Sequence, residues 1–298
     1  MAFANPLFFL SWETGFHIIE KGIIAKMKEM VSIIVPTYNR EKEIGRAIHS
    51  ILQQTYEQYE IIVVDDGSTD NTREVVEKIE DKRIRYIQLE QNQGAGHARN
   101  VGVQAARYDY IAFLDSDDEW FPNKLELQMR KMLSSPDEVK LVYCRMGGCK
   151  RYSTERYIFP PEGVRKEILE GDIFEQLLFH NVIGTPTLLC HRECLERTGG
   201  FNEALLCLED WELVLRMAKE WKVGFVDEVL VEVHKLEGSV SMNIGAYLVT
   251  RCYIVSQYRE KMREIGILGK IEEEILDRAE PVDLYEEIKE LLTRDIQL

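Results

Sequence analysis

Residues Tyr110–Leu114 form an apolar run without alternation that passes directly into Asp115-Ser116-Asp117-Asp118. A run of this kind reads as a strand buried on both faces, which requires a mostly parallel sheet with helices on both sides. Carboxylates at the carboxyl end of such a strand lie where open α/β sheets bind ligands. Asp115 and Asp117 are two residues apart and can converge on one oxygen-loving divalent cation that also carries phosphate oxygens. The same residue types also cap helices, so this stretch alone leaves both readings open.

The rest of the chain repeats the pattern. Val31–Val35 is a short apolar strand ending in Pro36-Thr37-Tyr38-Asn39, and Ile44, Ala47, Ile48, Ile51 and Leu52 then fall on one helical stripe. Ile61–Val64 is a second buried strand ending in Asp65-Asp66-Gly67-Ser68, with Val75, Val76 and Ile79 marking its helix. A third strand, Ile84–Leu89, leads through Asn92-Gln93-Gly94-Ala95-Gly96 to a helix with Ala98, Val101 and Ala105 on one side. Alternation of this length predicts right-handed crossovers and a Rossmann-like, mostly parallel central sheet flanked by helices. The loops after strands one, two and four then gather along one edge, the default ligand crevice.

Beyond Pro122, Leu125, Met129 and Met132 continue a helical period, and Leu141–Cys144 reads as a strand. Gly147–Gly163 reads as a loop or hairpin able to lie over the crevice, and Thr187–Cys190 as a strand. Glu209-Asp210 opens a helix carrying Trp211, Leu215 and Ala218, and Val229, Val231 and Val233 alternate as a strand before His234. From Gly245 the chain reads as a charge-rich C-terminal helical appendage. Residues 1–29 carry no coherent period and are expected to be an extension that the core does not need.

The balance of 37 Lys plus Arg against 52 Asp plus Glu, a net charge of −15, disfavours nucleic acid as a partner. The six cysteines have no metal-finger spacing and are expected to be reduced thiols. No run approaches the roughly 18 apolar residues of a membrane span, and no signal peptide is expected. Gly94 and Gly96 lack the third glycine of a dinucleotide fingerprint, and no phosphate loop of the Gly-Lys-Ser or Gly-Lys-Thr type occurs.

Six motifs in order carry a resemblance: Val-Pro-Thr-Tyr-Asn (35–39), Val-Asp-Asp-Gly-Ser-Thr-Asp (64–70), Gly-His-Ala-Arg-Asn (96–100), Phe-Leu-Asp-Ser-Asp-Asp (113–118), Gly-Gly-Phe-Asn-Glu (199–203) and Glu-Asp-Trp-Glu-Leu (209–213). Together they make the chain similar to the inverting, nucleotide-sugar-dependent family-two glycosyltransferases with the A-type fold. The resemblance implies a catalytic domain over 30–240, with a nucleotide-binding half (30–118) and an acceptor half (119–240), followed by the helical region 241–298. Pro36, Thr37, Tyr38 and Asn39 would meet the nucleobase and ribose, with Asp66 accepting a base N–H or ribose hydroxyl. Gly94 and Arg99 would face the diphosphate, beside Asp115 and Ser116. Asp117 and Asp115 would hold Mn²⁺ or Mg²⁺, with His234 as a further metal or phosphate contact. Asp210 would be the general base, with Glu209 as the alternative.

The implied donor is a nucleoside-diphosphate sugar, a UDP-sugar first among them, and the implied acceptor a glycan, a lipid-linked glycan or another cell-surface polysaccharide. The expected setting is cytoplasmic, compatible with peripheral association at the inner face of the membrane. There is no Gln-x-x-Arg-Trp motif after Asp210 and no set of membrane helices, which argues against a processive synthase. Two other classes stay open on the residues: a sugar nucleotidyltransferase, and a non-catalytic nucleotide- or glycan-binding module. The first would want a glycine-rich basic signature at strand one, and the second has little reason to keep three acids round an anionic ligand.

Overall fold

The computed structural model describes residues 28–149, 154–234 and 243–297. Its first half builds four strands, β1 (Val31–Thr37), β2 (Tyr59–Asp65), β3 (Ile84–Gln88) and β4 (Tyr110–Phe113). Between them run the helices α1 (Ile44–Leu52), α2 (Thr72–Glu77) and α3 (Ala95–Ala105). The strands are parallel in the order β3-β2-β1-β4. Every residue of β1 and β2 is buried, which is why neither shows a polar face in the sequence. Ile44, Ala47, Ile48 and Ile51 bury the apolar stripe of α1. The helix α3 lies so close to β1 that a Cβ on Gly102 would sit 2.4 Å from Ile34 Cγ2, so that crossing needs glycine.

The second half adds β5 (Glu119–Trp120), α4 (Lys124–Ser134), β6 (Val139–Cys149), β7 (Arg156–Phe159) and α5 (Phe174–Phe179). It continues with β8 (Leu189–His191), α6 (Arg192–Thr198), α7 (Glu209–Ala218) and β9 (Lys222–Val233). The whole sheet runs β3-β2-β1-β4-β8-β6-β9-β5, with β7 on β6. Here β8 is antiparallel to both β4 and β6, whereas β6 and β9 are parallel. The hairpin expected after residue 147 is the antiparallel pair β6–β7.

Two boundaries differ from the sequence reading. The strand read at Leu141–Cys144 continues to Cys149, because Gly147 and Gly148 let β9 approach closely: a Cβ on Gly148 would meet the Val233 carbonyl oxygen at 2.5 Å. Thr187 belongs to a 3₁₀ turn, Thr185–Thr187, and the strand begins at Leu189.

The C-terminal region consists of α8 (Ile244–Glu264), α9 (Leu268–Ala279) and α10 (Tyr285–Leu292). Leu248, Cys252, Ile254 and Val255 of α8 join the same buried cluster as Phe113, Phe201 and Trp211, so these helices share the core of the sheet domain. Asn243 caps α8, accepting from the Ala246 N–H. Of the segment read as an extension, residues 1–27 lie outside the described residues. Glu29 is tied to the core, its carbonyl accepting from the Tyr56 hydroxyl at 2.6 Å. All six cysteines are free thiols, five of them buried. Among the described residues no helix is long and apolar enough to cross a membrane.

Candidate active site

The ends of β1 and β2 form the first wall of the crevice. Pro36 and Thr37 are buried, and the Thr37 hydroxyl has no hydrogen-bond partner, while the Tyr38 ring is 42% exposed at the rim. Asn39 takes a left-handed φ of 52° and knits the two loops together: its N–H donates to Ser68 Oγ and its Oδ1 accepts from the Thr69 N–H, both at 2.8 Å. Asp66 is buried, and its carboxylate accepts the N–H groups of Gln93 at 2.9 Å and Gly94 at 2.7 Å. Those two bonds hold the glycine loop at the start of α3, where Gly94 has a φ of 97°.

The centre is Arg99, near the start of α3. Its side chain is 5% exposed and forks between two halves of the molecule, donating to Asp115 Oδ1 at 2.7 Å and to Glu209 Oε1 at 2.6 Å. Burial opposes the guanidinium charge, but the two carboxylates outweigh it and hold the group protonated. The Arg99 Nε is buried and has no partner.

Beyond Phe113 the chain packs three carboxylates together. Asp118 is buried and accepts the His234 N–H at 3.0 Å; burial, then the Asp115 charge, push its pKa well above the carboxylate range. Burial and Asp115 also raise Asp117, whose ion-pair partner is Arg40 at 3.9 Å. Ser116 is buried between them. His234 stands at this corner with its Nε2 2.8 Å from Glu119 Oε1. Among the described residues no group of three or more His, Cys, Asp or Glu side chains is arranged to enclose an ion. The carboxylates nevertheless fit a cation of the Mg²⁺ or Mn²⁺ kind, which is held by one or two acids and completed by waters and phosphate oxygens. Mutual repulsion between Asp115 and Asp117 is the charge excess that such an ion relieves.

On the opposite wall, Glu209 and Asp210 open α7. Asp210 Oδ2 accepts from the N–H and the hydroxyl of Thr185, each at 3.3 Å, and Oδ1 accepts from the Trp211 N–H at 2.7 Å. Burial first, and then the Glu209 charge, push the Asp210 carboxyl up to about 6. That value suits a group that must be ionised near neutrality yet take a proton. Trp211 anchors the turn by donating its indole N–H to the Leu177 carbonyl at 2.7 Å.

The structure thus brings Asp115, Arg99, Glu209 and Asp210 into one connected group, with Asp117 beside it. Asp66 and Asn39 lie along the same edge as loop-holding residues, and His234 is joined to the group through Asp118. Sequence reading passed over Thr185, whose only signal is its place in Gly184-Thr185-Pro186, and Arg40, which directly follows Asn39.

Comparison with known proteins gives the chain's family and fold relatives. The family described as "Glycosyl transferase family 2" matches residues 32–191. The chain is 31% identical over 220 residues, 72% of its length and 83% of the relative's, to TuaG of Bacillus subtilis strain 168, provisionally named a teichuronic acid biosynthesis glycosyltransferase. It is also 31% identical over 251 residues to the Escherichia coli UDP-Glc:alpha-D-GlcNAc-diphosphoundecaprenol beta-1,3-glucosyltransferase WfgD, covering 84% of this chain and 89% of that one. The crystal structure of S. aureus TarS 1–349 in complex with UDP-GlcNAc shares the fold, with a TM-score of 0.63 at 20% identity, over 89% of this chain and 88% of that one.

Proposed function

The chain belongs to glycosyl transferase family 2 and is a glycosyltransferase, and we propose that it moves a sugar from a nucleoside-diphosphate donor to a cell-surface glycan acceptor with inversion at the anomeric carbon. The observation that carries this reading is the Arg99 fork, which joins an acid at the end of β4 to the acid pair at the start of α7. One buried guanidinium thereby sets the donor-side and acceptor-side carboxylates at a fixed separation.

In this reading Tyr38 offers a flat face to the nucleobase, and Thr37, whose buried hydroxyl lacks a partner, and Asp66 line the ribose side. Asp117 and Asp115 would hold Mn²⁺ or Mg²⁺, whose role when bound is to neutralise the diphosphate as it leaves. His234 borders that position. Asp210 accepts the acceptor hydroxyl proton as the new bond forms, while Thr185 and the Trp211 N–H fix the direction of its lone pairs. Glu209, paired with Arg99, is suited to orientation more than to proton transfer, which favours Asp210 as the base.

The names of WfgD and of the TarS complex support a UDP-sugar donor, and those of TuaG and WfgD support a cell-envelope acceptor that is a polysaccharide or a lipid-linked saccharide. Work at the cytoplasmic face of the membrane fits such an acceptor. The test is a thermal-melt screen of UDP-, GDP- and TDP-sugars with Mn²⁺, followed by product analysis with the stabilising donor. One donor class should raise the melting temperature, and the product should carry the inverted anomeric configuration with free nucleoside diphosphate released. Release of pyrophosphate would indicate a nucleotidyltransferase, and binding without turnover on any acceptor a silent module.

A further inference from the structure

Arg251 stands out on α8 because its charge lies within the buried stripe Leu248, Arg251, Cys252 and Val255. Its side chain is 4% exposed, and the carboxylate within ion-pair distance is Glu274 at 3.9 Å. The Arg251 Nη2 is buried without a hydrogen-bond partner, and the guanidinium lies over the Trp211 ring at 4.5 Å. Glu274 is shared, because Arg278 approaches its other oxygen at 3.3 Å. Lys270 lies over the Phe179 ring at 4.6 Å, and His180 follows in sequence, within electrostatic reach of Arg251, Lys270 and Glu274. Arg251 and Arg278 therefore share one carboxylate, and Lys270 lies one helical turn before it on α9, in a chain whose net charge is −15.

Magnitudes decide against a purely structural arginine. Stacking on the Trp211 indole stabilises the guanidinium only modestly. Leaving a buried guanidinium N–H without an acceptor costs more than that stacking returns. Burial accordingly pulls the Arg251 pKa below its ordinary value, against the opposing charges of Tyr247 and Glu274. A planar fork whose buried Nη2 has no acceptor, backed by two exposed cations, matches a tetrahedral oxyanion.

We propose that Arg251, Lys270 and Arg278 form a phosphate-class oxyanion site beside Trp211. Trp211 follows the proposed base Asp210 in the chain, so the site adjoins the acceptor side of the crevice, and the anion it takes is a phosphate or diphosphate carried by the acceptor or free in solution. The location relative to the acceptor rests on the reading of Asp210 given above. The existence of the site does not.

The first experiment needs no turnover. The full chain is melted in EDTA with inorganic phosphate against chloride at matched ionic strength, so that no divalent ion carries the anion. Phosphate should raise the melting temperature of the wild type, and Arg251→Gln should abolish that rise. The exposed pair Lys270→Gln with Arg278→Gln should weaken the apparent affinity roughly tenfold or more, as expected for lost charge-assisted contacts; this pair decides the matter if Arg251→Gln does not fold. No phosphate response in the wild type, or a response unchanged in the variants, overturns the site.

The second experiment separates the sources. KM is measured for a saccharide 1-diphosphate bearing a short alkyl chain and for the same saccharide as a neutral alkyl glycoside. A KM increase in the variants confined to the diphosphate acceptor assigns the site to the acceptor, whereas an equal effect of added phosphate on both assigns it to the free anion. Absence of transfer with either would count against the transferase reading and leave the melting result standing.

Discussion

At the scale of single residues, the acids divide by what surrounds them. Asp115 is satisfied by Arg99, Asp66 by two backbone N–H groups, and Asp210 is held by weaker donors in a partly buried corner that pushes it up to about 6. A carboxyl raised above its unfolded value of roughly 3.9 destabilises the fold once it ionises. That cost is absent below the unfolded pKa and complete above the folded one. Asp210→Asn should therefore raise stability at pH 7–8 by about 3 kcal/mol, with the gain vanishing below about pH 4, while turnover falls by roughly 10²–10⁴. In the wild type, kcat should decline as pH drops through about 6, because a protonated Asp210 is too weak a base to take the acceptor proton. Denaturant melts and a pH–rate profile read both effects; unchanged turnover in the variant would remove Asp210 from the chemistry. Asp117→Asn tests the other wall: calorimetry should show clearly weaker donor binding in Mn²⁺, and equal affinity would exclude Asp117 as a ligand. Both acids stand out in the sequence as candidates, since each stands at the end or start of an apolar element. The Arg99 fork was not, because its partners are 16 and 110 residues away and nothing local encodes their convergence.

At the scale of elements, long periodic stretches were legible and short ones were not. The strands β1, β2 and β4 announced themselves because burial on both faces leaves apolar runs, Ile33–Val35, Ile61–Val64 and Ile111–Phe113, with no alternating polar face. The two-residue β5 carries too few positions for a period and went unread, whereas β8 was read as a strand at Thr187–Cys190 but with nothing local to show that it runs antiparallel between β4 and β6. The 3₁₀ turn Thr185–Thr187 is a further such case, and it matters most for the site. Two bonds fix it from behind: Trp120 Nε1 donates to the Pro186 carbonyl at 2.9 Å, and Gln128 Nε2 to the Thr187 carbonyl at 2.7 Å. From that platform Thr185 directs its hydroxyl at Asp210. Thr185→Val keeps the shape and removes one donor that favours the carboxylate, so the acid limb of the pH–rate profile should move to higher pH. Thr185→Ser should restore it. A limb that stays in place in the valine variant would show that the turn supports the loop without tuning the base.

At the scale of the whole molecule, the question is whether the C-terminal helices are an accessory or part of the fold. The sequence suggested an appendage, because its charge density is high and its apolar positions are spaced too irregularly to name a partner. In the structure Leu248, Cys252, Ile254, Val255, Ile271 and Ile275 are all buried in the cluster that contains Phe113 and Trp211. Thr250 adds a polar tie, donating to the Cys207 carbonyl at 3.1 Å just ahead of α7. Burying an aliphatic side chain contributes about 1.5–3 kcal/mol, so the five aliphatic ones among these match the total stability of about 5–15 kcal/mol of an ordinary domain. Their loss would also bare Trp211, the residue that anchors the turn bearing Asp210. A chain ending at Met242 should therefore lose its cooperative melt, bind apolar dyes and fall out of solution, and it should not bind donor even though every donor-side residue is retained. Calorimetry and near-ultraviolet circular dichroism read the outcome directly. A sharp transition near the wild-type temperature, with donor affinity intact, would show that the sheet and its first helices stand alone and that α8, α9 and α10 serve only the acceptor side.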